Sequence, residues 1–288
     1  VVHHGKPILV QWKDLYKYYF GILSKRGIMM DFENIIRLVQ STRSLLINEA
    51  QTIEVTTKGR ANFVTQIDVA VQEYLRRKLK ELAPEVILIS EEQERVPMEA
   101  EKAYWILDPI DGTQNFIRHV GMSAVSLAYY AQGNLQFGVV YNPFTEETFH
   151  AVRGQGAFLN GQRIAVTVTP TLAESLMAIG TSPYDRQMIA SNWMLFRDIH
   201  SQCLDIRRSG SAALDLSYVA AGRFDGYVER NLNPWDVAAG ILLVEEAGGV
   251  VTDYAGNRID ISCNSDICAA NGQINKELLT IITSQCIS

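Results

Sequence analysis

Residues 105–113 read Trp105-Ile106-Leu107-Asp108-Pro109-Ile110-Asp111-Gly112-Thr113. A short apolar run of this kind is a buried strand, and two acids and a hydroxyl follow it at once. Pro109 removes a backbone donor and fixes φ, while Gly112 permits close backbone approach, so the spacing predicts a shaped loop at a strand end. Two acids three residues apart repel one another there unless a cation lies between them. An oxygen-only donor set suits Mg2+ or Mn2+ rather than zinc. The plainer alternative is a solvated turn with a helix cap at Thr113.

Other acids weigh toward the metal. Glu91-Glu92 follow the apolar run 86–89, again at a strand end, where open α/β folds place ligand sites. Asp236 follows Pro234-Trp235 and precedes the apolar helix expected over 237–247. An Asp there is ordinarily an N-cap, but a capping carboxylate still has a second oxygen to offer. Competing chemistries are absent from the sequence: it has no G-x-x-x-x-G-K-[ST] loop, no H-E-x-x-H and no G-x-S-x-G elbow. Gly154–Gly161 (GQGAFLNG) misses the dinucleotide fingerprint because Leu159 holds its last position, and it reads as hairpin turns. His119, His150 and His200 are scattered and read as surface or structural residues.

Outward from this centre the pattern alternates. Phe32, Ile35, Ile36, Val39 and Leu46 predict a helix from Asp31, and Val71, Tyr74, Leu75, Leu79 and Leu82 a second one after Asp68. Strands are expected over 86–89, 105–107, 125–130, 135–141 and 148–152, with Gly133-Asn134 as a hairpin turn. Helices are expected over 192–203, 212–221, 237–247 and 276–283, with Gly222 and Gly248 as stops, and strands over 250–253 and 267–270. The expected class is α/β (α+β) with mixed sheets.

Composition bounds the rest. The 288 residues are 47% hydrophobic and 20% charged, which supports a sizeable core and excludes wholesale disorder. No apolar run nears the roughly 20 residues of a membrane helix. Residues 1–28 hold Lys6, Lys13, Lys17, Lys25 and Arg26 against Asp14 alone, so the net charge of −6 conceals a more acidic remainder. That balance argues against direct nucleic-acid binding. The segment is expected to be a leader or extension, with a single domain over 29–288 in lobes of about 29–170 and 171–288. Four cysteines without C-x-x-C spacing point to a reducing, cytoplasmic setting rather than a zinc or disulfide framework.

Asp108-Pro109-Ile110-Asp111-Gly112-Thr113 and Trp235-Asp236-x-Ala238-Ala239-Gly240 resemble the two signatures of the inositol monophosphatase family, lithium-sensitive Mg-dependent phosphatases related to fructose-1,6-bisphosphatase. The likeness runs from about 31 to 283. It includes Val64-Thr65-x-x-Asp68, Ser90-Glu91-Glu92 and Arg208-Ser209-Gly210-Ser211-Ala212-Ala213-Leu214-Asp215. The last segment, with Ala220-Ala221-Gly222-Arg223-x-Asp225-Gly226, is similar to bacterial inositol-1-monophosphatases in particular. The resemblance implies the family's layered αβαβα sandwich, a homodimer, and hydrolysis of myo-inositol monophosphate and related sugar or polyol monophosphates.

It also implies roles. Glu91, Asp108 and the Ile110 carbonyl would hold one Mg2+; Asp108, Asp111 and Asp236 would hold a second, and Glu91 a weaker third. Asp68 would stand behind the metals. Thr113, with Glu91 behind it, would orient and deprotonate a metal-bound water. The N–H groups of Gly112 and Thr113 would receive the phosphate. Asp111, the Ala212 backbone and Glu229 would bind the leaving group's hydroxyls. Two positions depart from the family pattern: Asn62, where relatives often carry an acid, and Gln114, where many carry Thr. Phosphatases for bisphosphorylated nucleotides, fructose bisphosphate, NADP or histidinol phosphate share the metal constellation, and Glu229 favours a polyol over a second phosphate. A transcription-associated binding role is the alternative of a different class.

Overall fold

In the computed structural model, which describes residues 30–48, 55–59, 62–93, 97–99 and 101–284, α1 (Phe32–Ser41) and α2 (Arg43–Asn48) come first. A hairpin of β1 (Val55–Gly59) and β2 (Asn62–Thr65) leads into α3 (Gln66–Leu82). Seven strands then lie side by side in sequence order: β3 (Ile87–Ser90), β4 (Tyr104–Asp111), β5 (Ala124–Ala131), β6 (Asn134–Asn142), β7 (Glu147–Val152), β8 (Gly156–Leu159) and β9 (Gln162–Ile164). β3 and β4 pair parallel, and the remainder is an antiparallel meander. The short α4 (Thr113–Ile117) follows β4. A second, mixed sheet has the order β11-β10-β12-β14-β13, from β10 (Leu176–Ile179), β11 (Asp205–Arg207), β12 (Gly226–Leu232), β13 (Val250–Thr252) and β14 (Ser265–Ala270). Its helices are α5 (Ile189–His200), α6 (Ala212–Ala220), α7 (Pro234–Glu246) and α8 (Asn275–Ser284).

Strand alternation sorts these elements into layers, because successive side chains leave opposite faces of a sheet. Trp105 and Leu107 of β4 join Phe32 and Ile35 of α1 and Val71 and Leu75 of α3 in one core. Tyr104 and Ile106 turn the other way, into a core with Leu214 and Leu216 of α6 and Val237 and Ala238 of α7. Tyr227 of β12 and Ala269 of β14 enter that same middle layer from the second sheet. Their neighbours Val228 and Cys268 face outward, to Leu195 and Phe196 of α5 and Leu278 and Ile282 of α8. The architecture is therefore helix, sheet, helix, sheet, helix: an αβαβα sandwich with mixed sheets.

The middle helices lie unusually close to their neighbours. A Cβ at Gly138 of β6 would come within 2.9 Å of the Ala239 Cα, and one at Gly240 within 2.6 Å of Leu216. The Ala-Ala-Gly run of α7 is thus a packing requirement as well as a signature. Gly138→Ala meets backbone, which cannot yield, so it is expected to cost about 1–3 kcal/mol of stability. A chemical melt of the variant checks this.

Several boundaries differ from expectation. β4 continues through both acids, so Asp108 and Asp111 stand within the strand, not on a loop after it. The sequence signal ended at Leu107 because acids and Pro are poor strand formers; a register shift between Asp108 and Asp111 accommodates them. The expected turn at Gly133-Asn134 falls one residue earlier, at Gln132-Gly133, where both residues have positive φ and suit a two-residue hairpin. Within Gly154–Gly161 the turns enclose a strand, β8. β10, β11 and β12 carried no clear signal; the polar Glu229-Arg230-Asn231 interrupts the apolar run of β12. His150 is structural as expected: it stacks on Phe158 at 5.2 Å, and burial pushes its pKa down to about 4. The leader expected over 1–28 lies outside the described residues.

Candidate active site

The acids expected at separate strand and helix ends converge. Oxygens of Asp108, Asp111 and Asp236 all lie within 4.8 Å of one another. Asp108 and Asp111 come from β4, where the register shift turns both inward; Asp108 Oδ1 accepts the Ile110 N–H at 3.0 Å. Asp236 arrives on α7. It is not the N-cap expected from the sequence: the helix begins at Pro234, Asn233 caps it, and Asp236 sits in the first turn. Its Oδ2 accepts from the Asn233 N–H at 2.8 Å and the Asn233 Nδ2 at 3.1 Å. This orients the carboxylate from behind.

Electrostatics shows what the cluster lacks. Burial raises Asp108 well above the usual carboxylate range, and Glu91, Asp111, Asp236 and Asp68 push it further. Burial takes Asp111 up to about 6, against hydrogen bonds from Ser211 and Ala213. Burial, then Asp111, takes Asp236 to about 7. The charges pressing on Asp108 are all carboxylates, so the field calls for cations. An oxygen donor set of this kind fits Mg2+.

Glu91 stands at the end of β3, its N–H donating to the Leu107 carbonyl at 3.4 Å, beside Asp108 but outside the tight triad. Asp68 is buried in the first turn of α3, where Oδ2 accepts from the Thr65 N–H at 2.7 Å and from its hydroxyl. Its Oδ1 has no partner among the described residues, and burial lifts its pKa to about 6. The Thr113 hydroxyl donates to the Ile110 carbonyl at 3.0 Å. The implied water-orienting hydroxyl and the implied ligand carbonyl are thus bonded to each other here. Gly112 caps α4 at φ +81, and a Cβ there would lie 2.9 Å from the Met122 carbonyl. Only glycine meets both conditions.

One cleft is lined by Asp111, Gly112, Thr113, Ala212, Glu229 and Asp236 together. Glu229, from β12, is buried at its floor. Its Oε1 accepts the Ser182 N–H at 2.9 Å and its Oε2 the Tyr227 hydroxyl. A Cβ on Gly180 would collide with its carboxylate, so that glycine makes the room Glu229 occupies. Gln114 also lines the cleft, and the side chain of Asn62 lies outside the described residues. Sequence reasoning passed over Tyr184, and it gave no role to Ser211 and Arg208 although both lie in the family-like segment 208–215. Ser211 caps α6 and donates its hydroxyl to Asp111 Oδ2, beside the Ala213 N–H at 2.8 Å. Its place before a helix and in the family-like segment was its signal, and Arg208 shares that segment; Tyr184, which lines the cleft with Arg208, carried none.

Residues 30–288 match the model of the inositol monophosphatase family. The chain belongs to that family. Among its relatives, Nus factor SuhB of Escherichia coli (strain K12) is 37% identical over 248 residues, covering 85% of this chain and 92% of that protein. Inositol-1-monophosphatase of Rhizobium meliloti (strain 1021) is 39% identical over 234 residues, covering 81% and 88%. The solved structure of a Thermotoga maritima IMPase superposes with a TM-score of 0.80 at 32% identity, over 89% of this chain and 98% of that one. An IMPase/NADP phosphatase complexed with Mg2+ and phosphate superposes with a TM-score of 0.79 at 25% identity, over 86% and 93%. A family neighbour thus holds the ion that the acidic cluster of this chain fits. No helix among the described residues is long and apolar enough to cross a membrane.

Proposed function

We propose that this inositol monophosphatase family member is a Mg2+-dependent phosphomonoesterase that hydrolyses myo-inositol monophosphate and related sugar or polyol monophosphates by direct attack of water. The observation that carries it is the convergence of the Asp108, Asp111 and Asp236 carboxylates, two of which, Asp111 and Asp236, line one cleft with the buried Glu229. Asp108, Asp111, Asp236, Glu91 and the Ile110 carbonyl would hold two or three ions, with Asp68 buried behind them. Bound there, Mg2+ supplies Lewis-acid stabilisation of phosphoryl charge and lowers the pKa of its water. The N–H groups of Gly112 and Thr113 would receive the phosphate, and Thr113 with Glu91 would orient the attacking water and accept its proton.

The leaving group would meet Asp111, the Ala212 backbone and Glu229. A carboxylate accepts hydrogen bonds from hydroxyls and repels a second phosphate, which favours a polyol. Arg208 also lines the cleft, but it is exposed at the rim while Glu229 is buried at the floor. The competing substrates are therefore bisphosphates or NADP reaching that rim.

Phosphate release from a panel of monoesters and bisphosphates tests this, with Mg2+, with EDTA and with added Li+. Inositol-1-phosphate is expected to be the best substrate, with EDTA abolishing release and Li+ inhibiting it. Rapid turnover of another ester with none of inositol-1-phosphate would overturn the specificity. A cytoplasmic homodimer belongs to the same reading. The second reading, a transcription-associated binding role, draws on the name Nus factor carried by relatives at 37% identity. It is compatible with a working active site.

A further inference from the structure

Tyr184 lies on the chain between β10 and α5 and lines the cleft beside Asp111, Thr113 and Asp236. Its loop is tied to the cleft floor. Ser182 sits in the left-handed region at φ +44, where its N–H donates to Glu229 and its hydroxyl donates to the Arg230 carbonyl at 2.6 Å. Pro183 then restricts φ at the next step. The side chain that follows is held against the site by these anchors.

Tyr184 as a whole is 61% exposed, and it lines the cleft together with Asp111, Gly112, Thr113 and Asp236. Burial, then the carboxylates of Asp236, Glu91, Asp111 and Asp108, hold the phenol well above its ordinary range. This field agrees with the residue's place in the wall of the cleft beside Asp111, Thr113 and Asp236. The Tyr184 hydroxyl makes no hydrogen bond to a described residue. A neutral phenol with an uncommitted proton, in the wall of the cleft where a dianion would sit, is a donor awaiting an acceptor.

We propose that Tyr184 is a phosphate-binding residue whose hydroxyl donates a hydrogen bond to a phosphoryl oxygen of the bound ester. The proposal rests on the phosphatase reading above. It differs from a role in leaving-group selection, because the phosphoryl end is common to every ester and to the product. Loss of the hydroxyl should weaken all of them by one factor.

Tyr184→Phe removes the oxygen and keeps the ring, and so exposed a side chain can be changed without disturbing the core. Inorganic phosphate binding in saturating Mg2+, measured by calorimetry, is expected to weaken about tenfold, as befits one hydrogen bond to a charged acceptor. Mg2+ affinity, followed by tryptophan fluorescence, should be unchanged. kcat/KM should fall by a similar factor for inositol-1-phosphate and for a phosphomonoester with a small leaving group. Phosphate binding within twofold of the parent overturns the proposal. So does a kcat/KM loss confined to one ester, which would place the ring against the leaving group, or a Mg2+ affinity that falls with that of phosphate. If the parent binds phosphate but hydrolyses no ester, the phosphatase reading fails and the binding comparison still decides the role of Tyr184.

Discussion

Asp108→Asn is expected to lower turnover by about a thousandfold or more while leaving the chain folded. Asp108 is the buried hub of the cluster, the one carboxylate on which Glu91, Asp111, Asp236 and Asp68 all act. The amide keeps the shape, and its oxygen can still accept the Ile110 N–H that Asp108 Oδ1 accepts at 3.0 Å. What it removes is a negative charge from the only site among the described residues where three carboxylates approach within 4.8 Å. Metal stabilisation of a phosphoryl transition state is worth several kcal/mol, and each decade of rate is about 1.4 kcal/mol. The same substitution relieves repulsion, so without Mg2+ the variant should melt above the parent. Phosphate-release assays and thermal melts with and without Mg2+ give both quantities. Turnover within tenfold of the parent, still dependent on Mg2+, would remove Asp108 from the metal site.

The second large effect is on stability. A carboxyl whose pKa is raised by folding keeps its proton in the native state at pH values where the unfolded chain, at about 3.9 for Asp, has lost it. Native stability therefore falls as pH rises between the two values. Asp236 at about 7, with Asp108 and Asp215 raised well above the usual range, extends this decline past neutrality. His150, pushed down to about 4, acts in the opposite sense below its unfolded value of about 6.5. The clean window is therefore pH 6.5–8. In EDTA the melting temperature is expected to drop across that window. Saturating Mg2+, which binds the ionised cluster, should raise stability more at pH 8 than at pH 6.5. A melting temperature in EDTA that climbs with pH would show that these acids are not held together as described.

Much of the site was legible in the residues. Asp108, Asp111 and Asp236 announce themselves because acids beside buried apolar runs carry a charge that the run cannot solvate. Helices over 212–221 and 237–247 were visible in their periodicity, the second short of its first turn at Pro234, and Gly222 and Gly248 stand after their last turns with φ of +67 and +88. β12 was not visible, because the residues that make it functional are the polar ones that break its apolar pattern. Glu229 could be named from family resemblance, but not its strand.

The class of chemistry thus came from family resemblance, while local pattern determined by itself the mixed α/β composition and the carboxylates that a cation would need. Those are properties of composition and short spacing, which hydrophobic period and charge express along the chain. The tertiary structure decided which groups meet. Asp236, 125 residues after Asp111, reaches the same few ångströms only because α7 is wedged between two sheets, with Gly138 and Gly240 allowing the close approach. Ser211 reaches Asp111 across 100 residues, and Ser182 reaches Glu229 across 47. Tyr184 had no signature in the sequence. Its position follows from an anchored loop, and no spacing rule can express a contact made through three elements at once.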